Sequence, residues 1–215
     1  KYLAILNNID KTPGLVFCYS QFRNVEGIEI LKRVLNFNGY SEMKISKYYP
    51  YEPKIESMKL NDRVRYFIDK EKQECRTGII KEILEEEMYK IIPINNSSDK
   101  SYITISKNDI HKCYYTLWTG SETVEQRDKA KIIFNENENK FGQKCLILLA
   151  TSSGAEGISL KHVRQVHICE PYWNNVRINQ VIGRARRHLS HVLLPVDQQN
   201  VTVYQYITQF TPEQL

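Results

Sequence analysis

Three arginines stand within four residues, Arg184, Arg186 and Arg187, inside the stretch "NQVIGRARRHLSH" from Asn179 to His191. Guanidinium groups present planar forks of donors that match phosphate oxygens. Ile178, Val181, Ile182 and Ala185 repeat at helical spacing and share one face. At about 100° per residue, Gln180, Arg184 and Arg187 fall together on another face. Gly183 lies beside that face, where a missing side chain permits close approach. Two arginines one turn apart repel each other, which makes sense if an anion lies between or beyond them. The alternative is a set of structural ion pairs, for which the surrounding segment supplies only Glu156 and Glu170.

A second group lies upstream, in "ATSSGAEGISL" from Ala150 to Leu160. It follows an apolar run, and in open α/β sheets ligands gather at the carboxyl ends of strands. Thr151, Ser152, Ser153, Gly154 and Gly157 can offer hydroxyls and backbone N–H groups to phosphate oxygens. The plainer reading is a strand-to-helix turn that needs its glycines for geometry. Tyr19, Ser20, Gln21 and Arg23 close another apolar run in the same way, either as contacts to a nucleic-acid backbone or as ordinary polar residues at a strand exit. Trp173, in "EPYWN", either stacks or packs, and Asn174 or Asn175 is suited to cap the helix that follows.

Other chemistries have no footing. The chain contains no GxxxxGK[ST] phosphate loop, no DExx box, no HExxH and no GxSxG, and its five histidines lack ligand spacing. Five cysteines, an odd number without a CxxC pair, read as reduced, buried side chains of an intracellular protein, with no zinc site and no metal assigned. No apolar run approaches the length of a membrane span and no signal peptide is visible.

The elements that must position these groups alternate. Residues 1–10 read as a helix, 14–20 as a buried strand, 25–38 as a helix ended by Gly39. After an interruption come a strand at 114–120, a helix at 122–137, strands at 145–150 and 165–171, the arginine helix at 176–188 and a last strand at 201–207. Alternation of this kind predicts an α/β fold, a parallel sheet with helices on both faces. Residues 51–113 have another grammar, short strands with partial alternation and no long helix, and predict an inserted small antiparallel barrel or curled sheet. The expected division is therefore 1–50 with 114–215 as one unit and 51–113 as the other. Net charge is +5. Between Lys144 and Val192 seven Lys and Arg face two Glu, whereas between Tyr51 and Cys113 twelve basic residues face twelve acidic ones. A basic, structured segment suits a phosphate-bearing partner or is a solvated surface.

These motifs carry a resemblance. "QVIGRARR" resembles motif VI, QxxGRxxR, of superfamily-2 helicases and Swi/Snf-type translocases. "ATSSGAEGISL" resembles their motif V, "LVFCYSQF" their motif IV, and "PYWN" the stretch between motifs V and VI. The tail "RHLSHVLLPVDQQNVTVYQYI" is similar to nucleoside triphosphatases and early-transcription-factor helicases of poxviruses and other large DNA viruses. The resemblance implies a RecA-like C-terminal motor domain. It implies that ATP and Mg²⁺ are held mainly by a separate N-terminal RecA-like domain, and that DNA or RNA is the track. On this basis Arg184 and Arg187 reach a γ-phosphate, with Arg187 the arginine finger and Gln180 organising the cleft. Glu156, Gly157 and Gly183 lie near the nucleotide, and Tyr19, Ser20, Gln21, Thr151 and Ser152 near the nucleic-acid backbone. A viral source would place the protein in host cytoplasm or virion. Two rivals stay open: a non-catalytic nucleic-acid-binding module, and a scaffold whose 51–113 insert docks a protein or nucleic acid in the manner of a Tudor or Src-homology-3 module, its neutral charge balance favouring a protein.

Overall fold

The computed structural model describes residues 1–24, 27–50, 52–69, 73–94, 101–152 and 157–209. Its centre is a strand whose residues are all buried, β1 (Leu15–Ser20). Side chains alternate across a strand, so a strand covered on both faces must be apolar throughout. Leu15, Phe17 and Tyr19 point into one core, while Val16 and Cys18 point into another. On β1's flanks lie β11 (Ile147–Thr151) and β12 (Val163–Ile168), both parallel to it. Beyond them come β10 (Tyr114–Trp118) with β2 (Ser41–Glu42) on one side and β13 (Thr202–Gln205) on the other. The order is β13-β12-β1-β11-β10-β2, six parallel strands.

Four helices cover this sheet. α1 (Tyr2–Asp10) and α2 (Ile28–Phe37) bury Ile5, Leu6, Ile9, Ile28, Leu31 and Leu35 against one face. α3 (Val124–Asn135) and α4 (Asn175–Ala185) bury Ala130, Ile133, Phe134, Ile178, Val181 and Ala185 against the other. The α/β architecture with helices on both faces is as the sequence predicts. α3 begins at a capping box, in which Thr123 Oγ1 accepts from Gln126 N while Gln126 Oε1 accepts from Thr123 N.

α4 departs from expectation at its end. The sequence predicts a helix to residue 188, but it stops at Ala185. Its last carbonyls find donors outside the helix: Leu160 N reaches Arg184 O at 3.0 Å and Ser190 Oγ reaches Ala185 O at 3.5 Å, the same hydroxyl lying 2.7 Å from Arg187 O in the turn that follows. Those bonds replace the next helical turn. Arg187 therefore lies on the turn behind the helix, and the shared helical face proposed for Arg184 and Arg187 does not exist.

Between β2 and β10 the chain leaves the parallel sheet. A two-residue pair comes first, β3 (Lys44–Ile45) against β4 (Pro53–Lys54). A five-stranded antiparallel sheet follows, built from β5 (Arg63–Asp69), β6 (Glu74–Ile83), β7 (Met88–Pro93), β8 (Ile103–Ser106) and β9 (Ile110–Lys112) in the order β8-β7-β6-β5-β9. Its own core gathers Val64, Tyr66, Ile80, Tyr89, Ile91 and Ile110. Ser106 caps a 3₁₀ turn at Lys107–Asp109, which separates β8 from β9.

This sheet is fastened to the α/β layer by charge. Asp10, 4% exposed at the end of α1, accepts from Arg63 Nε and Nη2, both at 2.7 Å, and from Tyr40 Oη at 2.7 Å. Arg63 also donates to Asn38 O. Two residues along β5, the fully buried Arg65 donates to Thr12 O at 2.8 Å and Phe141 O at 3.2 Å. Gly39, at φ +81°, makes the close passage: a Cβ there would stand 2.1 Å from Asn61 O.

Two expectations follow. Asp10→Ala strands the Arg63 guanidinium in a dry site and should cost about 3–5 kcal/mol of stability, read from the urea midpoint. An unchanged midpoint would mean that the fastening is not the Asp10–Arg63 pair. The second concerns His162, which directly precedes β12 at φ +60° and keeps both ring nitrogens buried without a hydrogen-bond partner among the described residues. Burial, then the neighbouring His191, Lys161 and Lys140, push its pKa down to about 4. The native ring stays neutral while the unfolded one takes a proton below about 6.5. Stability should therefore fall as pH drops from 6.5 towards 4, and His162→Asn should flatten that part of a melting-temperature profile against pH.

Candidate functional site

The residues singled out in the sequence fall into two clusters at opposite edges of the parallel sheet. α4 starts beyond the carboxyl end of β12 and runs back, so that Arg184 O meets Leu160 N just ahead of β12's first residue. Eleven helical residues at about 1.5 Å each separate the two clusters by roughly 16 Å. The arginines thus lie away from the carboxyl edge that carries the strand-exit residues.

At the carboxyl edge, Ser20 and Thr151 end adjacent strands in register. Both are buried, and the Ser20 hydroxyl is used inside its own turn, donating to Phe22 O at 2.9 Å and accepting from Phe22 N at 3.1 Å. Tyr19 packs in the core beside Ile168 and Ile178 and has little surface to offer a strand. What the edge exposes is Phe22, Arg23 and Asn24 and, beyond the exit of β12, Trp173 at 86%, which therefore does not pack in the core, with Gln21 and Ser152 half-buried. Gln21 N donates to Glu170 Oε2 at 3.2 Å, which ties the exit of β1 to the exit of β12. Ser153, Gly154, Ala155 and Glu156 lie outside the described residues, so the Glu156 assignment has no structural counterpart. Gly157, which follows, is exposed at φ +79°, a conformation suited to glycine.

Asn174 caps the start of α4 at the carboxyl edge by accepting from Val176 N at 2.9 Å, and the arginines lie at the helix's other end. Gln180 is exposed, Gly183 and Arg184 are half-buried, and Arg186 and Arg187 are exposed. A Cβ on Gly183 would meet nothing within 4 Å, so its smallness serves no packing inside this chain. Among the described residues, no carboxylate lies within 4.0 Å of Arg184, Arg186 or Arg187. Arg186, Arg187, His188 and His191 line a half-open hollow of about 540 Å³. Unneutralised guanidiniums around such a hollow can take phosphate oxygens in bidentate fashion.

The turn behind α4 owes its shape to two residues that the helical wheel missed. Ser190 Oγ holds Arg187 O, and His191 Nε2 lies 2.7 Å from Val163 O while its Nδ1 meets Ser190 Oγ at 2.8 Å. These contacts fix the backbone that carries Arg187. The signal available was a Ser-His pair set into the otherwise apolar run "HLSHVLLP".

Comparison with known proteins adds to this geometry. Residues 71–188 match the family described as helicase conserved C-terminal domain. Over 207 residues, 96% of this chain and 25% of the relative, it is 28% identical to a putative ATP-dependent RNA helicase of Acanthamoeba polyphaga mimivirus. With the same coverage it is 31% identical to a termination factor NPH-I homolog of African swine fever virus. A shorter match, 34% over 84 residues (39% of this chain, 13% of the relative), is to nucleoside triphosphatase I of Choristoneura fumiferana entomopoxvirus. The C-terminal part of the Fun30 ATPase domain superposes on 95% of this chain, over 39% of that chain, with a TM-score of 0.49 and 15% identity. The chain spans about a quarter of the length of the two long relatives. With more than half of its residues matched, including the whole of α4 and its arginines, this chain belongs to the helicase conserved C-terminal domain family.

Proposed function

We propose that this domain is the second half of a nucleic-acid-dependent nucleoside triphosphatase of superfamily 2, and that α4 delivers its arginines to a nucleotide held by a partner lobe. What supports this most directly is unspent charge: three guanidiniums at one helix end with no carboxylate within reach among the described residues. In the proposal Arg187 is the arginine finger, Arg184 grips the same phosphates, and Gln180 with Gly183 and Gly157 faces the cleft. ATP supplies the phosphoryl group. The described residues contain no group of His, Cys, Asp or Glu suited to a metal ion, and the proposal assigns Mg²⁺ to the partner lobe. Guanidinium charge stabilises the transferring phosphoryl group only when the lobes close, and loss of the γ-phosphate weakens closure. At the carboxyl edge Gln21, Arg23 and Ser152 are placed against the backbone of a DNA or RNA strand. Such contacts carry no base identity, so binding should be salt-dependent and tolerant of sequence.

In the full-length protein, Arg187→Ala should lower turnover by about 10³-fold or more while leaving ATP binding close to normal. The 215-residue chain alone should hydrolyse no measurable ATP. Normal turnover by the Arg187→Ala protein would remove the finger assignment. Turnover by the isolated chain would remove the division of labour between lobes.

A further inference from the structure

We infer that the β3–β4 hairpin is a second contact for the track, one that grips unpaired nucleotides beside the carboxyl edge; this rests on the motor reading above. Lys44 and Lys54 stand directly opposite each other across this antiparallel pair, and both are exposed. Like charges in that position repel and weaken a hairpin. The pair is short, closed by Ser46 N donating to Glu52 O at 3.0 Å, and has no other strand bonded to it among the described residues. Its connection projects Lys47, Tyr48 and Tyr49 outward, with the tyrosines 80% and 88% exposed. Among the described residues, none of Lys44, Lys47 and Lys54 has a carboxylate within 4.0 Å. In the neighbouring antiparallel sheet Lys90 and Lys112 each reach a carboxylate, and Lys81 reaches Asn61 Oδ1 at 3.0 Å.

The hairpin's place explains what this charge is for. β2 runs parallel to β10 and the chain continues past it towards β10's carboxyl end, where Gln126 Nε2 at the start of α3 donates to Ile45 O at 2.9 Å. Lys44 and Lys47 there line a hollow with Thr116, Ser121 and Gln126. Of the acids beside it, Glu42 is bound by Lys32 at 2.9 Å and Glu122 by Thr119 and Ser121. Strands lie about 4.8 Å apart, so a strand leaving the exit of β11 meets the hairpin after roughly 10 Å. The lysines suit its phosphates, and two exposed aromatic rings suit bases whose faces are uncovered. Duplex bases cover one another, so the fit is to single-stranded DNA or RNA.

The test is fluorescence anisotropy of the 215-residue chain with labelled oligothymidylate, oligouridylate and a DNA duplex. Tyr48→Ala with Tyr49→Ala should weaken single-strand binding about tenfold, while Tyr48→Phe with Tyr49→Phe retains it and duplex binding changes little. Lys44→Gln with Lys54→Gln should reduce the slope of log affinity against log salt by about 1.4. The two oligonucleotides tell DNA from RNA. Wild-type affinity in the alanine pair, with Arg23→Ala still weakening binding, would overturn the hairpin's role and leave the motor reading standing. Binding of duplex alone by the unaltered chain would overturn the hairpin's role, and absence of any nucleic-acid binding would overturn both.

Discussion

Burial of a parallel sheet on both faces is the constraint from which the placement of every functional group here follows. Each parallel strand must be re-entered from its amino end, so each connection travels back across the sheet, and the helices that make the return seal one face or the other. The chain satisfies this with α1 and α2 on one side and α3 and α4 on the other. Groups at strand exits, such as Gln21, Arg23 and Ser152, are thereby held at one edge. Groups at the far end of a returning helix, such as Arg184 and Arg187, are held at the other. A single rigid element, α4, touches both neighbourhoods.

The antiparallel sheet obeys a different constraint. Its join to the α/β layer combines an apolar contact of Phe67 and Cys75 with Phe141 and Leu194 and a directional polar one, Arg63 on Asp10 and Arg65 on the carbonyls of Thr12 and Phe141. A desolvated bidentate pair is directional in a way that apolar packing is not. It fixes the sheet's orientation relative to α1, and it would carry the sheet along with this lobe in any closing motion.

Much of the fold is legible in the sequence because two-sided burial writes itself as continuous apolar runs, "LVFCYS" and "CLILLA" among them. The end of α4 is not legible. Arginine and alanine favour helix, so "GRARR" reads as uninterrupted, and what stops it is Leu160 N and Ser190 Oγ arriving from elsewhere. Nor is the fastening legible: in "DRVRYFI" the arginines at alternate positions look like a solvated strand face, yet Arg65 is fully buried. The strand-exit residues were found, but exposure divides them, Ser20 and Thr151 turning inward while Arg23 stays out. The β3–β4 pair was missed because two-residue strands leave no periodicity to detect. Residues 153–156 lie outside the described chain, so the phosphate-loop reading of that stretch stands as a proposal.

Among the described residues, basic side chains with no carboxylate within 4.0 Å stand both at the end of α4 and at the rim of the carboxyl edge. At physiological ionic strength the screening length is about 8 Å, half of the roughly 16 Å that α4 spans. An anion at one site is therefore nearly invisible to charges at the other. Any influence of bound nucleic acid on the arginines must travel through displacement of a packed body, and α4 is seated on β12 by Ile178, Val181 and Ala185 over most of its length. On the proposed reading, the fold separates two phosphate-binding tasks electrically and joins them mechanically, the arrangement needed if each is to change hands without holding the other in place.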